Sequence, residues 1–232
     1  QVQSLRRAHA HDIVQSRIQS GPFRSIEDFR TRVRLTADEL ATLAGRDAYD
    51  FRRELLAAHP RALAVLDAAA TDAGWGKPLP AGHHHGIALH ESFGSIVGEV
   101  CDVAVAADGS VRAERVVAVV DCGIVINPDT AKAQIEGGIL FGLSAALAEE
   151  ITLKSGAVVQ QNFHDYPLLR LSEAPAVEVE FITSTAPPGG LGEPGTPPIA
   201  AALVNAVFAA TGMRVRALPL AASAATLSAK SS

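Results

Sequence analysis

The stretch Gly189-Gly190-Leu191-Gly192-Glu193-Pro194-Gly195-Thr196-Pro197-Pro198 decides how this chain is read. Glu193 is its one ionisable group, set in a frame of glycine and proline. Glycine lets a backbone take φ > 0 or pass close to a ligand. Pro194 biases Glu193 toward an extended conformation, because the residue before proline avoids the α region. Pro197 and Pro198 suit the first turn of a helix, where missing N–H groups cost little. The apolar run Ile199 to Ala210 follows directly and predicts that helix. The expected unit is a rigid loop feeding a buried helix, with a carboxylate at its tip. A carboxylate held among apolar groups ionises less readily and can serve as a general base. A plain surface loop with Glu193 in water is the competing reading.

Working outward, Ala176 to Thr183 alternates as a strand before the loop. After the helix, Arg214 to Leu218 reads as a last short strand and Ala221 to Ser232 as an Ala/Ser tail. Further upstream the hydrophobic period is two. Strands are predicted over Ile87 to His90 and Ser95 to Val105, with Asp108-Gly109 as a hairpin turn and Val111 to Val120 returning. Asp121-Cys122-Gly123 ends that strand, and Asn127-Pro128-Asp129 leads into a helix from Thr130 to Ala148. Gly137, Gly138 and Gly142 interrupt this helix. Each costs about 1 kcal/mol relative to alanine, so a backbone or ligand is expected close by. A short hairpin follows, Ile151 to Leu153 and Ala157 to Gln160. His83-His84-His85 is read as a loop or strand edge, since adjacent histidines point in different directions and no fourth ligand is near in sequence.

Residues 1–44 differ from the rest in being rich in arginine. Ile13, Val14, Arg17 and Ile18 sit at helical spacing up to Ser20-Gly21-Pro22. Ser25 and Thr36 read as caps of two further short helices. The character changes at Gly45. Tyr49, Phe51, Leu55 and Leu56 predict a short amphipathic helix, and Pro60 opens another to Ala73. The expected fold class is α+β. Residues 45–220 form its main domain, residues 1–44 a small all-α appendage and residues 221–232 a flexible tail.

Composition narrows the function. Hydrophobic residues make up 48% and charged residues 19%, which supports a large core and argues against disorder. A formal charge of −5 gives no general case for a nucleic-acid partner. Cys101 and Cys122 have no zinc or CxxC spacing, and their places on neighbouring strands leave a facing pair open. No apolar run reaches the length of a membrane span, and no signal peptide is visible. A bacterial cytoplasmic or periplasmic location stays open.

Four stretches taken in order carry a resemblance. They are His90-Glu91-Ser92-Phe93-Gly94-Ser95, Asp121-Cys122-Gly123 with Asn127-Pro128, Gln134-Ile135-Glu136-Gly137-Gly138 with Gly142-Leu143, and Gly190-Leu191-Gly192-Glu193-Pro194. Phe163-His164-Asp165-Tyr166-Pro167 is a fifth. From about Gly45 to Leu220 the chain resembles the molybdenum-binding subunit of the xanthine dehydrogenase and aldehyde oxidoreductase family, in particular the isoquinoline 1-oxidoreductase beta subunit type. The resemblance implies part of a C-terminal molybdopterin-binding domain that oxidises an aldehyde or N-heterocycle with water-derived oxygen. It makes Glu193 the general base. Gln134 becomes a contact to the pterin, with Gly137, Gly138, Gly192 and Gly195 as close-approach positions. The implied cofactor is molybdenum with molybdopterin in its cytosine dinucleotide form. The implied partners are an iron–sulfur subunit and the remaining molybdenum-subunit segments.

Ile13-Val14, Arg17, Gly21-Pro22-Phe23, Ser25 and Asp28-Phe29 resemble the helix-hairpin-helix region of error-prone DNA polymerase III alpha subunits over residues 1–44. This stretch stands where the family's upstream glycine-rich cradle would precede Gly45. The expectation is a fusion product, a degraded gene or an assembly artefact. In each case the chain binds the cofactor only once the missing half is supplied, and an inactive remnant is the alternative. A nucleic-acid-binding module is the other alternative. Against it, the place of the glycine hairpin reads Ser4-Leu5-Arg6-Arg7-Ala8-His9, without glycine to bring amides to phosphates. Titration with duplex and single-stranded DNA at about 0.15 M salt is therefore expected to show no micromolar, salt-sensitive binding.

Overall fold

In the computed structural model, which describes residues 15–17, 19–22, 28, 36–106 and 108–221, Thr36 starts helix α1 (Ala37–Ala44). Its hydroxyl oxygen accepts from the Glu39 N–H, while the Glu39 carboxylate accepts from the Thr36 N–H. This reciprocal pairing satisfies donors that a helix start leaves open. Helix α2 (Ala48–Leu55) packs on α1 through Leu40, Ala41 and Phe51, and the Arg52 guanidinium closes on Asp38. The described residues form two compact units that divide between Leu55 and Leu56, after the composition change at Gly45. The helices expected around Ile13 to Ile18 and after Ser25 lie largely outside the described residues, as does most of the tail.

The second unit begins with α3 (Pro60–Ala73), opened by a proline and closed by Gly74 at φ 72°. Three strands follow as an antiparallel meander: β1 (His83–Ser92), β2 (Ser95–Val105) and β3 (Val111–Asp121). Helix α4 (Pro128–Leu147) is capped by the Asn127 side chain, which accepts from the Thr130 N–H. A small hairpin, β4 (Leu153–Lys154) and β5 (Ala157–Val158), precedes β6 (Ala176–Phe181). β6 lies parallel to β3, as a crossover through a helix allows, and the sheet order is β1-β2-β3-β6. Helix α5 (Thr196–Thr211) completes the unit.

Helices cover both faces of the sheet. Val97, Cys101, Val103, Val116, Ala118 and Val120 form one core with Ile135, Ile139 and Leu143 of α4 and Ile199 and Leu203 of α5. On the other face, a Cβ at Gly98 would lie 3.0 Å from Val65 and 3.4 Å from Ala69 of α3. Double coverage explains why Val116 to Val120 is apolar without alternation. Two glycines set the fit of the helix layer. A Cβ at Gly86 would come within 2.1 Å of the Ala202 carbonyl oxygen, and one at Gly142 within 2.6 Å of the Thr196 carbonyl oxygen. Gly142 thus answers to a neighbouring backbone.

The histidine triplet lies on an edge strand, in keeping with its reading as a loop or strand edge, though β1 starts at His83 rather than at Ile87. There His83 Nδ1 lies 3.0 Å from Asp102, and His85 stacks on Trp75, where burial pushes its pKa down. Arg214 to Leu218 is not a strand. The Arg214 guanidinium sits 3.4 Å from the centre of the Phe208 ring, and Leu220 enters the core, so this segment folds back on α5 rather than joining the sheet. Cys101 and Cys122 do not face each other: Cys101 lies opposite Val116, and Cys122 follows the end of β3. Both are buried free thiols.

Glu99 is the anomaly of the core. It is fully buried between Ala88 and Ala118 on the adjoining strands, and neither carboxylate oxygen has a hydrogen-bond partner. Desolvation raises its pKa well above the ordinary value of 4.5. A raised folded-state pKa means that its contribution to stability is fully present below 4.5 and is lost as pH rises through the folded value. Glu99→Leu is expected to stabilise the fold by about 1–3 kcal/mol near pH 8 and by less near pH 4. Urea denaturation at the two pH values reads the difference.

Candidate functional site

The loop from Gly189 to Thr196 is tied down on several sides. The Gly189 N–H donates to the Cys122 carbonyl oxygen at 2.8 Å, fixing the loop to the end of β3. The Gly190 N–H donates to the Phe93 carbonyl oxygen at 2.9 Å, and the Ser95 hydroxyl donates to the Gly190 carbonyl oxygen at 2.7 Å. On the α4 side, Gln134 Nε2 donates to the Gly192 carbonyl oxygen at 3.0 Å. Thr196 closes the loop: its N–H donates to the Glu193 carbonyl oxygen at 2.8 Å and its hydroxyl to the Gly138 carbonyl oxygen at 3.1 Å. These bonds leave little freedom to the backbone that carries Glu193.

The end of β3 is held in turn by an ion pair. Arg61 Nε lies 2.8 Å from Asp121 Oδ2, and Asp121 Oδ1 accepts from the Gly123 N–H at 3.1 Å. The Arg61 bond holds the buried Asp121 carboxyl below its ordinary pKa, against desolvation. Gly123 takes φ 72°, and a Cβ there would lie 2.2 Å from the Pro187 carbonyl oxygen. The Ile124 N–H donates to the Ala186 carbonyl oxygen at 3.1 Å. Asp121-Cys122-Gly123 is therefore the seat on which the segment before the loop rests.

Each residue expected at the site has a definite place. Glu193 is exposed, so the apolar enclosure expected of it is not supplied by the described residues. Gln134 is exposed and has one amide N–H engaged by the loop. Around Gly192 and Gly137 an added Cβ would meet nothing within 4 Å, so both border open space. Gly138 lies near Thr196, and a Cβ at Gly195 would stand 2.9 Å from the Ile135 carbonyl oxygen. Gly138 and Gly195 thus serve the α4–α5 contact, while Gly137 and Gly192 leave room for a ligand. A cavity of about 370 Å³ adjoins the loop, lined by Cys122, Ile124, Ile126, Thr130, Gln134 and Leu191 among others.

Four of the five sequence stretches meet at this loop, and the fifth does not. Asp165 accepts from the Gln161 and Asn162 N–H groups, and the Tyr166 hydroxyl donates to Glu149 beyond the end of α4. From Gln134 to Glu149 is roughly 20 Å along a helix axis. A larger cavity of about 700 Å³ lies at that far end, lined by Arg112, Leu147, Leu169, Arg170 and Leu220, and shares no residue with the loop. Glu91 is exposed and Glu136 half-buried. From the sequence, Ser95 had no role beyond its place at the end of the His90 to Ser95 stretch, and Arg61 none beyond its place at the start of a proline-opened helix.

Residues 31–175 match the molybdopterin cofactor-binding domain family, and residues 1–54 match the helix-hairpin-helix motif. The chain is 34% identical to a membrane-bound aldehyde dehydrogenase [pyrroloquinoline-quinone] of Gluconacetobacter polyoxogenes, over 92% of its own length and 30% of the relative's. It is 35% identical to isoquinoline 1-oxidoreductase subunit beta of Brevundimonas diminuta, over 79% of its length and 24% of the relative's. The chain thus spans a quarter to a third of these relatives. Among solved structures it is similar to quinoline 2-oxidoreductase from Pseudomonas putida 86, with TM-score 0.51 and 26% identity over 54% of this chain and 17% of that one. Among the described residues, no helix is long and apolar enough to cross a membrane.

The glycines of the site separate into two groups by experiment. Gly123→Ala combines a strained φ with a backbone clash and is expected to cost at least about 2 kcal/mol. Gly137→Ala meets open space inside a helix and is expected to be neutral or to stabilise by up to about 1 kcal/mol. Denaturant midpoints of the two variants measure the contrast.

Proposed function

The chain belongs to the molybdopterin cofactor-binding domain family of xanthine dehydrogenase-type molybdenum subunits, and from that premise we propose that it forms one wall of a molybdenum hydroxylase site with Glu193 as general base. The observation that carries the reading is the Gln134–Gly192 hydrogen bond, which joins the Glu193 loop to α4 beside Gly137 and Gly138. In this reading Gln134, Gly137 and Gly192 border molybdopterin, in its cytosine dinucleotide form, and the buried Gly138 and Gly195, expected to contact it as well, hold α4 against α5 behind them. The open space at Gly137 and Gly192 fits the close approach of a flat group. When bound, the molybdenum cofactor supplies a two-electron acceptor and an activated, water-derived oxygen. The Glu193 carboxylate would hold and accept the proton of that oxygen beside an aldehyde or an N-heterocycle. An iron–sulfur subunit would carry the two electrons onward. Cys101 and Cys122, both buried, do not make a cluster ligand set in this chain.

The exposure of Glu193 fits a site completed by the remaining molybdenum-subunit segments. A general base works best where water is excluded and its position is held. The loop supplies the holding, and the complement would supply the exclusion. The match of residues 1–54 to the helix-hairpin-helix motif favours a second reading for the N-terminal unit alone, a nucleic-acid contact, which the glycine-free segment Ser4 to His9 opposes.

The test is complementation with segments that supply the part of the relatives' length that the chain does not span, followed by aldehyde oxidation assays. Glu193→Gln keeps shape and removes basicity, so turnover is expected to fall by about 10²- to 10⁴-fold at unchanged molybdenum content. Near-normal turnover in Glu193→Gln, with loss in Glu136→Gln or Glu91→Gln, would show that another acid is the base.

A further inference from the structure

The turn joining β1 to β2 adopts a conformation its sequence does not favour. Ser92 pairs with Ser95, leaving Phe93 and Gly94 as a two-residue loop. Both have positive φ, 54° and 79°. Such turns favour Asn-Gly, and a bulky residue with positive φ is an outlier. Strained residues persist where the surroundings over-determine them, often beside functional groups. Here the surroundings are the Glu193 loop. The Phe93 carbonyl oxygen accepts from the Gly190 N–H, and the fully buried Ser95 hydroxyl donates a hydrogen bond to the Gly190 carbonyl oxygen. Both backbone groups of one residue are thus committed to one turn. The fit is close: a Cβ on Gly190 would stand 2.8 Å from that of Phe93, and one on Gly189 2.4 Å from the Ser95 hydroxyl oxygen.

We propose that the Phe93–Ser95 turn sets the position of the Glu193 loop, with Ser95 as a positioning residue that acts through Gly190. The proposal rests on Glu193 being the base as regards its consequence for catalysis, but its physical core concerns this chain alone. Gly190 and Glu193 lie in one short loop whose other ties reach Cys122, Gln134 and Gly138. Ser95 provides the one side-chain bond from the sheet to Gly190 among those described. Without the hydroxyl, the carbonyl of the exposed Gly190 loses its tie to the buried Ser95 and turns to water instead. The loop then opens more often while the sheet and α5 stay folded.

Residue-resolved hydrogen exchange on the full chain tests this directly. In Ser95→Ala the Gly190 amide is expected to exchange roughly 3- to 10-fold faster, with the Leu203 amide in α5 unchanged. Ser95→Thr, which keeps the hydroxyl, is expected to restore the Gly190 rate. Unchanged exchange at Gly190 overturns the proposal. Failure of Ser95→Ala to fold, or equal acceleration at Gly190 and Leu203, also overturns it, because the hydroxyl would then stabilise the whole fold. In the complemented assembly, Ser95→Ala is expected to lower kcat about 10- to 100-fold with KM unchanged. If Glu193→Gln keeps full turnover while the exchange result holds, the base assignment fails and the positioning of the loop stands.

Discussion

Backbone meets backbone without an intervening Cβ at the places where the second unit is joined together. Gly86 lets α5 settle on the edge strand, Gly142 brings α4 against the start of α5, and Gly123 admits the carbonyls of Ala186 and Pro187. Gly189 and Gly195 do the same on either side of Glu193, against the β1–β2 turn and against α4. The rest of the arrangement follows from these contacts. The sheet supplies the Cys122 and Phe93 carbonyls, α4 supplies the Gln134 amide, and the loop is short enough to use all three. A side chain at any tight position would push one layer outward and separate partners now within hydrogen-bond reach.

Polar groups in this unit divide by what they receive for their burial. Asp121 is buried with an arginine and a backbone amide to satisfy it, and it fixes α3 to the end of β3. Glu99 is buried more deeply with no partner. The first is an organised anchor beside the site, and the second a local loss of stability set under α5. Their dependences on pH run in opposite senses, because one carboxyl has a depressed pKa and the other a raised one.

Local chemistry was legible in the sequence wherever one rule acted alone. The cap at Thr36, the proline at the start of α3, the Asp108-Gly109 turn and the helix beginning beside Pro197 all emerged near their expected places. Misreadings arose where a distant contact overrode the local pattern. Arg214 to Leu218 has the look of a short strand, but Arg214 finds the Phe208 ring and the chain folds back. The strand expected from Ile87 begins at His83 instead, because His83 to Gly86 pair with β2 beyond the apolar pattern. At the site, the glycine-rich loop stood out by its residue types and Gln134 through the family resemblance. The exposure of Glu193 and the part played by Ser95 did not, since both depend on which surfaces the fold brings to the loop.

The ties on the Gly189–Thr196 loop bear on how this unit would join a larger assembly. An approaching polypeptide would meet a segment whose backbone is already ordered by its own chain, so little conformational entropy remains to be lost there on association. Affinity would then depend on side chains that are still solvated at the rim, above all Ile126, which is 83% exposed, and Phe93, 66% exposed. Burying such groups is favourable in proportion to their apolar area. The loop would act as a rigid template, and its partner would be the element that adapts.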